Sequence, residues 1–366
     1  MKRLLCVLSN MNAGGAETFL MKLYRQLDKT KYQMDFCVNT SDKCFYEDEI
    51  VAMGGKFYRI PSKSQDRKAF ETQLTDIVKS GGYEYVLRIT SNAMGFMDLK
   101  IAKQAGAKIC AARSSNSSDG AGWKLWLAHR MGRLLYEKYV DAKFAPSDLA
   151  AAYTFGNKAY KAGKVTILHN AVDLSVFRYD EAGRQAIRKE FGIADDTLLV
   201  GHVGRFMTQK NHSFLLKIFA EMTKQTPNAK LLLVGKGELE QELRMQVAEL
   251  KLTDKVIFAG IRSDIPQVLS AMDMFVFPSL YEGMPNTVIE AQATGLPCVI
   301  ADTITREADI TGLVQYLPLT ESLEIWAEKA LGAVTAQRTD TKQAFIDNKY
   351  AIESVAEEFV KLVFGE

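Results

Sequence analysis

Short apolar runs alternate with amphipathic stretches of helical period along almost all of the 366-residue chain. Buried parallel strands joined by helices produce this pattern. Arg3–Ser9 reads as a first strand, followed by a Gly-bearing turn, Asn12-Ala13-Gly14-Gly15. A helix is expected from Ala16 to Leu27, because Phe19, Leu20, Leu23, Tyr24 and Leu27 recur on one helical face. Further strands are expected at Met34–Val38, Lys56–Ile60, Tyr85–Ile89, Lys108–Ala112, Ala142–Ala145 and Val165–Leu168. The stretch His169–Gly183 breaks the alternation with aperiodic polar residues and turn formers, and a domain boundary is placed there. The pattern then restarts, with strands expected at Leu198–Val203, Lys230–Val234, Val256–Ala259, Met274–Val276 and Cys298–Ala301. A helix is expected at Asn211–Thr223 with Asn211 as its N-cap, and an amphipathic helix at Ile352–Val363. The expected architecture is α/β: two Rossmann-like domains in tandem, 1–170 and 171–349, each with an open parallel sheet. Such sheets bind ligands outside the carboxyl ends of their strands, so two of them facing each other would share a central cleft.

Composition narrows the class. Lys and Arg number 46 against 44 Asp and Glu, a formal charge of +2, which argues against a dedicated nucleic-acid binder. The start, MKRLLCVLSN, has too short an apolar run for a signal peptide, and no run reaches the ~20 apolar residues of a membrane span. A cytoplasmic location is expected. The five cysteines, Cys6, Cys37, Cys44, Cys110 and Cys298, form no C-x-x-C pair. Cys6, Cys37, Cys110 and Cys298 fall in apolar strand-like runs, so buried reduced thiols are expected. Asn-x-Ser/Thr sequons at Asn39, Asn116 and Asn211 mean little without a secretion signal.

The chemistry concentrates at a few strand ends. After the run ending Phe277-Pro278-Ser279 comes Tyr281-Glu282-Gly283-Met284-Pro285-Asn286-Thr287-Val288-Ile289-Glu290. Pro285 suits the first turn of a helix, and Gly283 lets backbone approach a ligand closely. Free amides at the helix start form an anion site. Glu282 in the loop and Glu290 in the helix can accept hydrogen bonds from sugar hydroxyls. A second segment, Val203-Gly204-Arg205-Phe206-Met207-Thr208-Gln209-Lys210-Asn211, places Arg205 and Lys210 around a strand-to-helix turn. Two cations there suit a diphosphate and the charge it develops on leaving. A third, Gly14-Gly15-Ala16-Glu17, opens the first helix, where glycines and the helix dipole favour phosphate.

Together these segments resemble family 4 of the retaining glycosyltransferases, which have the GT-B fold. The resemblance also takes in Asn170-Ala171-Val172-Asp173, Gly235-Lys236-Gly237, Asp273, and the Ala-x-Ala-x-Gly-Leu-Pro that follows Glu290. It spans nearly the whole chain, and the Glu282 to Glu290 spacing in this context is its most specific part. The resemblance implies that Arg205 and Lys210 hold the donor diphosphate and Glu290 the ribose hydroxyls. It places the transferred sugar on Glu282 and the backbone of Gly283, Met284, Pro285, Asn286 and Thr287. Gly15 would approach the diphosphate from the other domain, and the base would lie near Gly260-Ile261-Arg262. The last helix, about 350–366, would cross back to the first domain. A donor nucleotide-sugar, UDP-linked in most relatives, and a glycan or lipid-linked saccharide acceptor are the implied partners. Transfer would retain the anomeric configuration, with the donor phosphate taking the acceptor proton.

The sequence departs from the family in one place. Many members carry a histidine after the strand near residue 110, where this chain reads Ala112-Arg113-Ser114-Ser115-Asn116-Ser117-Ser118, so Arg113 or Ser115 takes that space. His202 and His212 are expected to be structural, while His169 is a candidate for facing the cleft. No Asp-x-Asp motif is present, so no metal or cofactor is expected and Arg205 and Lys210 take a cation's part. The Gly235 segment lacks the third glycine of a dinucleotide fingerprint, and there is no G-x-x-x-x-G-K-S/T loop. The segment 122–139, rich in Trp, Leu and basic residues, has two readings. Its apolar stripe faces the sheet, or it rests on the inner face of an anionic membrane. A non-catalytic donor-binding subunit that activates a partner is the alternative to an active transferase. A sugar-nucleotide epimerase is a third reading.

Overall fold

The computed structural model describes residues 1–115, 123–335 and 337–366. It divides into two compact units, Met1–Ala171 with Lys349–Glu366, and Val172–Asn348. The N-terminal unit has strands β1 (Lys2–Leu8), β2 (Tyr32–Val38), β3 (Phe57–Arg59), β4 (Tyr85–Thr90), β5 (Ile109–Ser114), β6 (Ala142–Ala145) and β7 (Thr166–Ile167). They form one parallel sheet in the order β3-β2-β1-β4-β5-β6-β7. The second unit has β8 (Leu199–Val203), β9 (Lys230–Val234), β10 (Val256–Gly260), β11 (Met274–Phe277), β12 (Cys298–Ala301) and β13 (Val314–Leu317). Their order is β10-β9-β8-β11-β12-β13, again all parallel. Both sheets reverse direction beside their first strand, between β1 and β4 and between β8 and β11.

Each sheet is buried on both faces because its strands are apolar at consecutive positions. Along β1, Leu4, Cys6 and Leu8 enter one core with the helices Gly15–Gln26 and Ile352–Phe364, while Leu5 and Val7 enter the opposite one with Phe70, Phe96 and Leu99. In the second unit Val200, Leu231, Leu233 and Val276 face one side, and Leu199, Leu232, Phe275 and Phe277 the other. This is the period-2 geometry of strands.

The helix Ile352–Phe364 returns to the N-terminal unit and buries Val355, Phe359, Val363 and Phe364 there. Each such side chain contributes roughly 2 kcal/mol by leaving water. Lys2 fastens its end, donating to the Phe364 carbonyl at 3.0 Å and pairing with Glu366 at 2.6 Å. All five cysteines are buried and unpaired, and burial pushes the Cys37 and Cys110 thiols up to about 12.

Several local expectations change. Asn211 does not cap the helix His212–Gln225 with its side chain; it takes a left-handed conformation (φ 55°) and its amide donates to the Pro278 carbonyl at 3.1 Å. Pro285 stands one residue before the helix Asn286–Ala293, not inside its first turn. Strand β13 is an addition, a short edge strand whose Gln315 is exposed and whose pattern is therefore weak. The sequon at Asn116, the serines 117 and 118, and Gly122 lie outside the described residues. Among the described residues no helix is long and apolar enough to cross a membrane.

Candidate functional site

The reversal point of the second sheet gathers the charged residues expected from the sequence. The loop after β8 carries Arg205 and Lys210, and the loop after the neighbouring β11 carries Glu282 and the start of the helix Asn286–Ala293. A crevice outside the carboxyl ends of strands at such a point is where open α/β sheets bind ligands.

The two loops are laced together by backbone. Leu280 N–H donates to the Gln209 carbonyl at 2.8 Å, and the Gln209 amide to the Tyr281 carbonyl at 2.9 Å. With the Asn211 to Pro278 bond, these contacts bring Lys210 Nζ to 2.6 Å from Glu282 Oε1. The Lys210 ammonium also lies 4.8 Å from the centre of the Phe277 ring. The pair is largely sheltered, with side-chain exposures of 17% for Lys210 and 8% for Glu282. An ammonium has three donors, so bonding to Glu282 leaves two for another acceptor. Arg205 is exposed, and its guanidinium has no hydrogen-bond or ion-pair partner among the described residues.

The glycines of Gly235-Lys236-Gly237 make the loop after β9 fit this site. At Gly235 φ is +140°, and an added Cβ would lie 2.1 Å from the Gly204 carbonyl oxygen; at Gly237 it would lie 2.2 Å from that of Phe206. Gly204 N–H donates to Val234 and Phe206 N–H to Lys236, so the loop that presents Arg205 is zipped to its neighbour. Gly235 N–H continues the chain to the Gly260 carbonyl at 2.8 Å, next to Ile261, which is 78% exposed at the end of β10. Arg262 is bound to Glu190 and Asp264, which raises its pKa.

The helix Asn286–Ala293 is held by Gln292, a fully buried side chain. Its amide donates to the Ala308 carbonyl at 2.7 Å, and its oxygen accepts from the amides of Ile310 and Thr311. This anchoring fixes the helix start, with Gly283, Met284, Pro285, Asn286 and Thr287 running up to it, and Glu290 within its second turn.

Comparison with known proteins decides the family. The family model described as Glycosyl transferases group 1 matches residues 183–312, and Glycosyltransferase Family 4 matches residues 13–176. EpsF of Bacillus subtilis (strain 168), itself named as a glycosyltransferase, is 37% identical over 355 residues, 96% of this chain and 92% of EpsF. The chain belongs to glycosyltransferase family 4.

A second relative of this glycosyltransferase is the Escherichia coli UDP-Gal:alpha-D-GlcNAc-diphosphoundecaprenol alpha-1,3-galactosyltransferase, 35% identical over 146 residues, 38% of this chain and 37% of that protein. Anabaena HepE, solved in complex with UDP, shares the fold with a TM-score of 0.76 at 17% identity, over 99% of both chains. Its complex with UDP-glucose aligns with a TM-score of 0.73. Two parallel sheets of this kind in tandem are the GT-B fold.

In the glycosyltransferase's N-terminal unit, Gly15 opens the helix Gly15–Gln26 at the carboxyl end of β1, beside that sheet's reversal point. Gly14 leaves room for the Glu17 carboxylate, since an added Cβ would lie 2.3 Å from Glu17 Oε2. Arg113, at the end of β5, is buried. Its guanidinium lies 3.7 Å over the Phe19 ring and donates to Asn170 Oδ1 at 2.7 Å. Burial lowers its pKa to about 9. Ser115 is exposed, with its amide on the Thr90 carbonyl. His169 stacks on Tyr350 with ring centres 4.1 Å apart and donates to the Pro146 carbonyl.

His202 and His212 are buried directly behind the site. The rings meet edge-on at 4.4 Å, and His202 stacks on Phe277 at 5.0 Å. Nδ1 of His202 donates to the Val276 carbonyl at 2.9 Å. Burial pushes His202 well below the usual histidine range and His212 down to about 4, with the Lys210 charge adding to both shifts. The neutral His202 ring thus backs Phe277, over whose face the Lys210 ammonium sits, with His212 behind it. Sequence reasoning treated the Arg205–Lys210 and Glu282–Glu290 segments separately. It missed the Lys210–Glu282 pair and the histidine behind Phe277, because both depend on β8 and β11 being neighbours.

Proposed function

We propose that this glycosyltransferase moves a hexose or N-acetylhexosamine from a nucleoside-diphosphate sugar, UDP-linked, to a glycan or lipid-linked saccharide with retention of anomeric configuration. The observation that carries the reading is the pairing of cations with a helix start at the reversal point: open Arg205, Lys210 with donors to spare, and the anchored helix Asn286–Ala293. HepE complexes with UDP and UDP-glucose, and the UDP-Gal donor and diphosphoundecaprenol-linked acceptor in the name of the Escherichia coli relative, support the donor and acceptor classes.

In this reading Arg205 and Lys210 take the diphosphate. Ile261 offers an apolar surface to the base and Glu290 accepts from the ribose hydroxyls. Glu282 and the backbone from Gly283 to Thr287 hold the sugar. As the bond from the anomeric carbon to the phosphate oxygen breaks, negative charge grows on the diphosphate and the two cations stabilise it. The departing phosphate oxygen takes the acceptor hydroxyl proton, and the new glycosidic bond forms on the face the phosphate left.

Thermal-shift measurements with UDP, GDP, ADP and CMP, then their sugar conjugates, test the donor. A ligand at 100 times its dissociation constant adds ~2.7 kcal/mol. A shift with UDP that Arg205→Ala abolishes is the expected result. No shift with any nucleotide would overturn the donor site. Product analysis with the purified chain then separates a transferase from an epimerase and from a subunit that only activates a partner.

A further inference from the structure

Two lysines lie along glycines at the carboxyl edge of the second sheet, at different places on it. The Lys210 stem passes 3.6 Å from where a Cβ on Gly204 would stand, in the turn that carries Arg205. The Lys236 stem lies over Gly260 instead, with its Cε 3.7 Å from where a Cβ there would stand. Gly260 takes φ +69°, a conformation that favours glycine, and the pairing of β10 with β9 shifts register between Phe258 and Gly260. The chain turns out of the sheet there and leaves Ile261 78% exposed. Phe206 N–H donates to the Lys236 carbonyl at 3.1 Å, and Gly235 N–H to the Gly260 carbonyl at 2.8 Å. Backbone therefore fixes where Lys236 starts, while its side chain is exposed.

The arginines around β10 are committed. Arg244 is bonded to Glu240 at 2.8 Å and lies over the Phe258 ring, and Arg262 is held by Glu190 and Asp264. The Lys236 ammonium has no hydrogen-bond or ion-pair partner among the described residues. An ammonium only donates, so its match on a nucleobase is a carbonyl oxygen. Uracil carries one, O4, on the edge far from the ribose, where cytosine carries an amino group that also donates. Two donors set against each other both stay unpaired, which is how a polar site rejects the wrong base.

We propose that Lys236 selects the base of the donor. With the diphosphate at Arg205 and Lys210 and the base on Ile261, the Lys236 ammonium donates to the uracil O4 oxygen and leaves a cytosine amino group without a partner. The flexible four-carbon stem, anchored over Gly260, lets the charge follow the base edge. This role presupposes the donor-site reading above and adds to it the residue that chooses among nucleotides.

Calorimetric titration of the full chain with UDP, CDP and pyrophosphate tests it. Wild-type protein should bind UDP at least about tenfold more tightly than CDP. Lys236→Met keeps the apolar stem and removes the donor. It should weaken UDP to about the affinity of CDP while leaving CDP and pyrophosphate where they were. Lys236→Arg should keep the preference, and Lys236→Glu, which replaces a donor with an acceptor, should reverse it. All three variants should melt like wild type, because the side chain is exposed. A Lys236→Met variant with the wild-type ratio of UDP to CDP would overturn the proposal. So would equal losses for UDP, CDP and pyrophosphate, which would make Lys236 a phosphate contact. Wild-type protein that binds CDP as tightly as UDP would overturn it and leave the donor site standing, whereas protein that binds none of the three would overturn the donor site as well.

Discussion

Lys210 and Glu282 lie 72 residues apart in sequence and 2.6 Å apart in space, on loops that leave adjacent strands. Removing one partner of a sheltered ion pair strands the other charge, which is costlier than removing both. Lys210→Ala and Glu282→Ala should each lower stability by about 1–3 kcal/mol, and the double variant by less than their sum. Denaturant unfolding of the four proteins measures the coupling. Both single variants should also lower kcat/KM on a UDP-sugar by roughly 10²–10³, the range for a lost charge-stabilising group. Simple additivity would mean that the pair does not act as one unit.

Gly235 separates a backbone requirement from a ligand requirement. With φ at +140° and the Gly204 oxygen 2.1 Å from an added Cβ, Gly235→Ala must push the β9 loop away from the Arg205 loop. A loss of about 2–4 kcal/mol is expected, together with weaker nucleotide binding. Gly332 is the control. Nothing lies within 4 Å of its added Cβ, and it sits in the helix Leu323–Ala333. Gly332→Ala should stabilise by up to about 1 kcal/mol. Comparison of the two melting temperatures checks both statements.

The buried histidines set an acid limit on stability. His212 is lowered from 6.5 to about 4, so between those values the unfolded chain binds a proton that the folded chain refuses. Stability is therefore full above about pH 6.5 and falls as pH drops toward 4. His212 alone should cost about 2 kcal/mol between pH 7 and pH 5, and His202, which burial also holds well below the usual histidine range, adds to the loss. Urea unfolding at the two pH values measures the fall. His212→Phe should flatten the profile, and an unchanged profile in that variant would assign the acid sensitivity elsewhere.

Arg113 is a buried guanidinium with no carboxylate partner among the described residues, held over Phe19 and bonded to Asn170. A charge in that setting opposes folding. Arg113→Met should leave the melting temperature unchanged or raise it while lowering turnover, the signature of a residue kept for function. A large drop in stability with turnover per folded molecule intact would show that Arg113 is only a packing element.

Much of this architecture was readable before any coordinates. Ala142–Ala145, Lys230–Val234 and Cys298–Ala301 form strands with the expected bounds, because short apolar runs flanked by turn formers have few alternatives. Strand β13 escaped because an edge strand with an exposed glutamine carries little apolar signal. Residues 123–136 show the limit of pattern reading. Periodicity located the helix, but not the face it buries, since His129 and Gly132 dock it through two hydrogen bonds and a close backbone approach rather than through apolar area.

Local spacing thus set which residues carry chemistry: Arg205 and Lys210 around one turn, Glu282 and Glu290 around another. Neighbour relations are a different kind of fact. Strand order in a parallel sheet follows from crossover connections and packing of helices on both faces, neither of which is written in any short window of residues. Only the order β9-β8-β11 sets Lys210 against Glu282, seats the lysine over Phe277 with His202 stacked behind that ring, and presses Gly235 onto Gly204. The chain supplies the charged groups, and the sheet's reversal point decides that they meet.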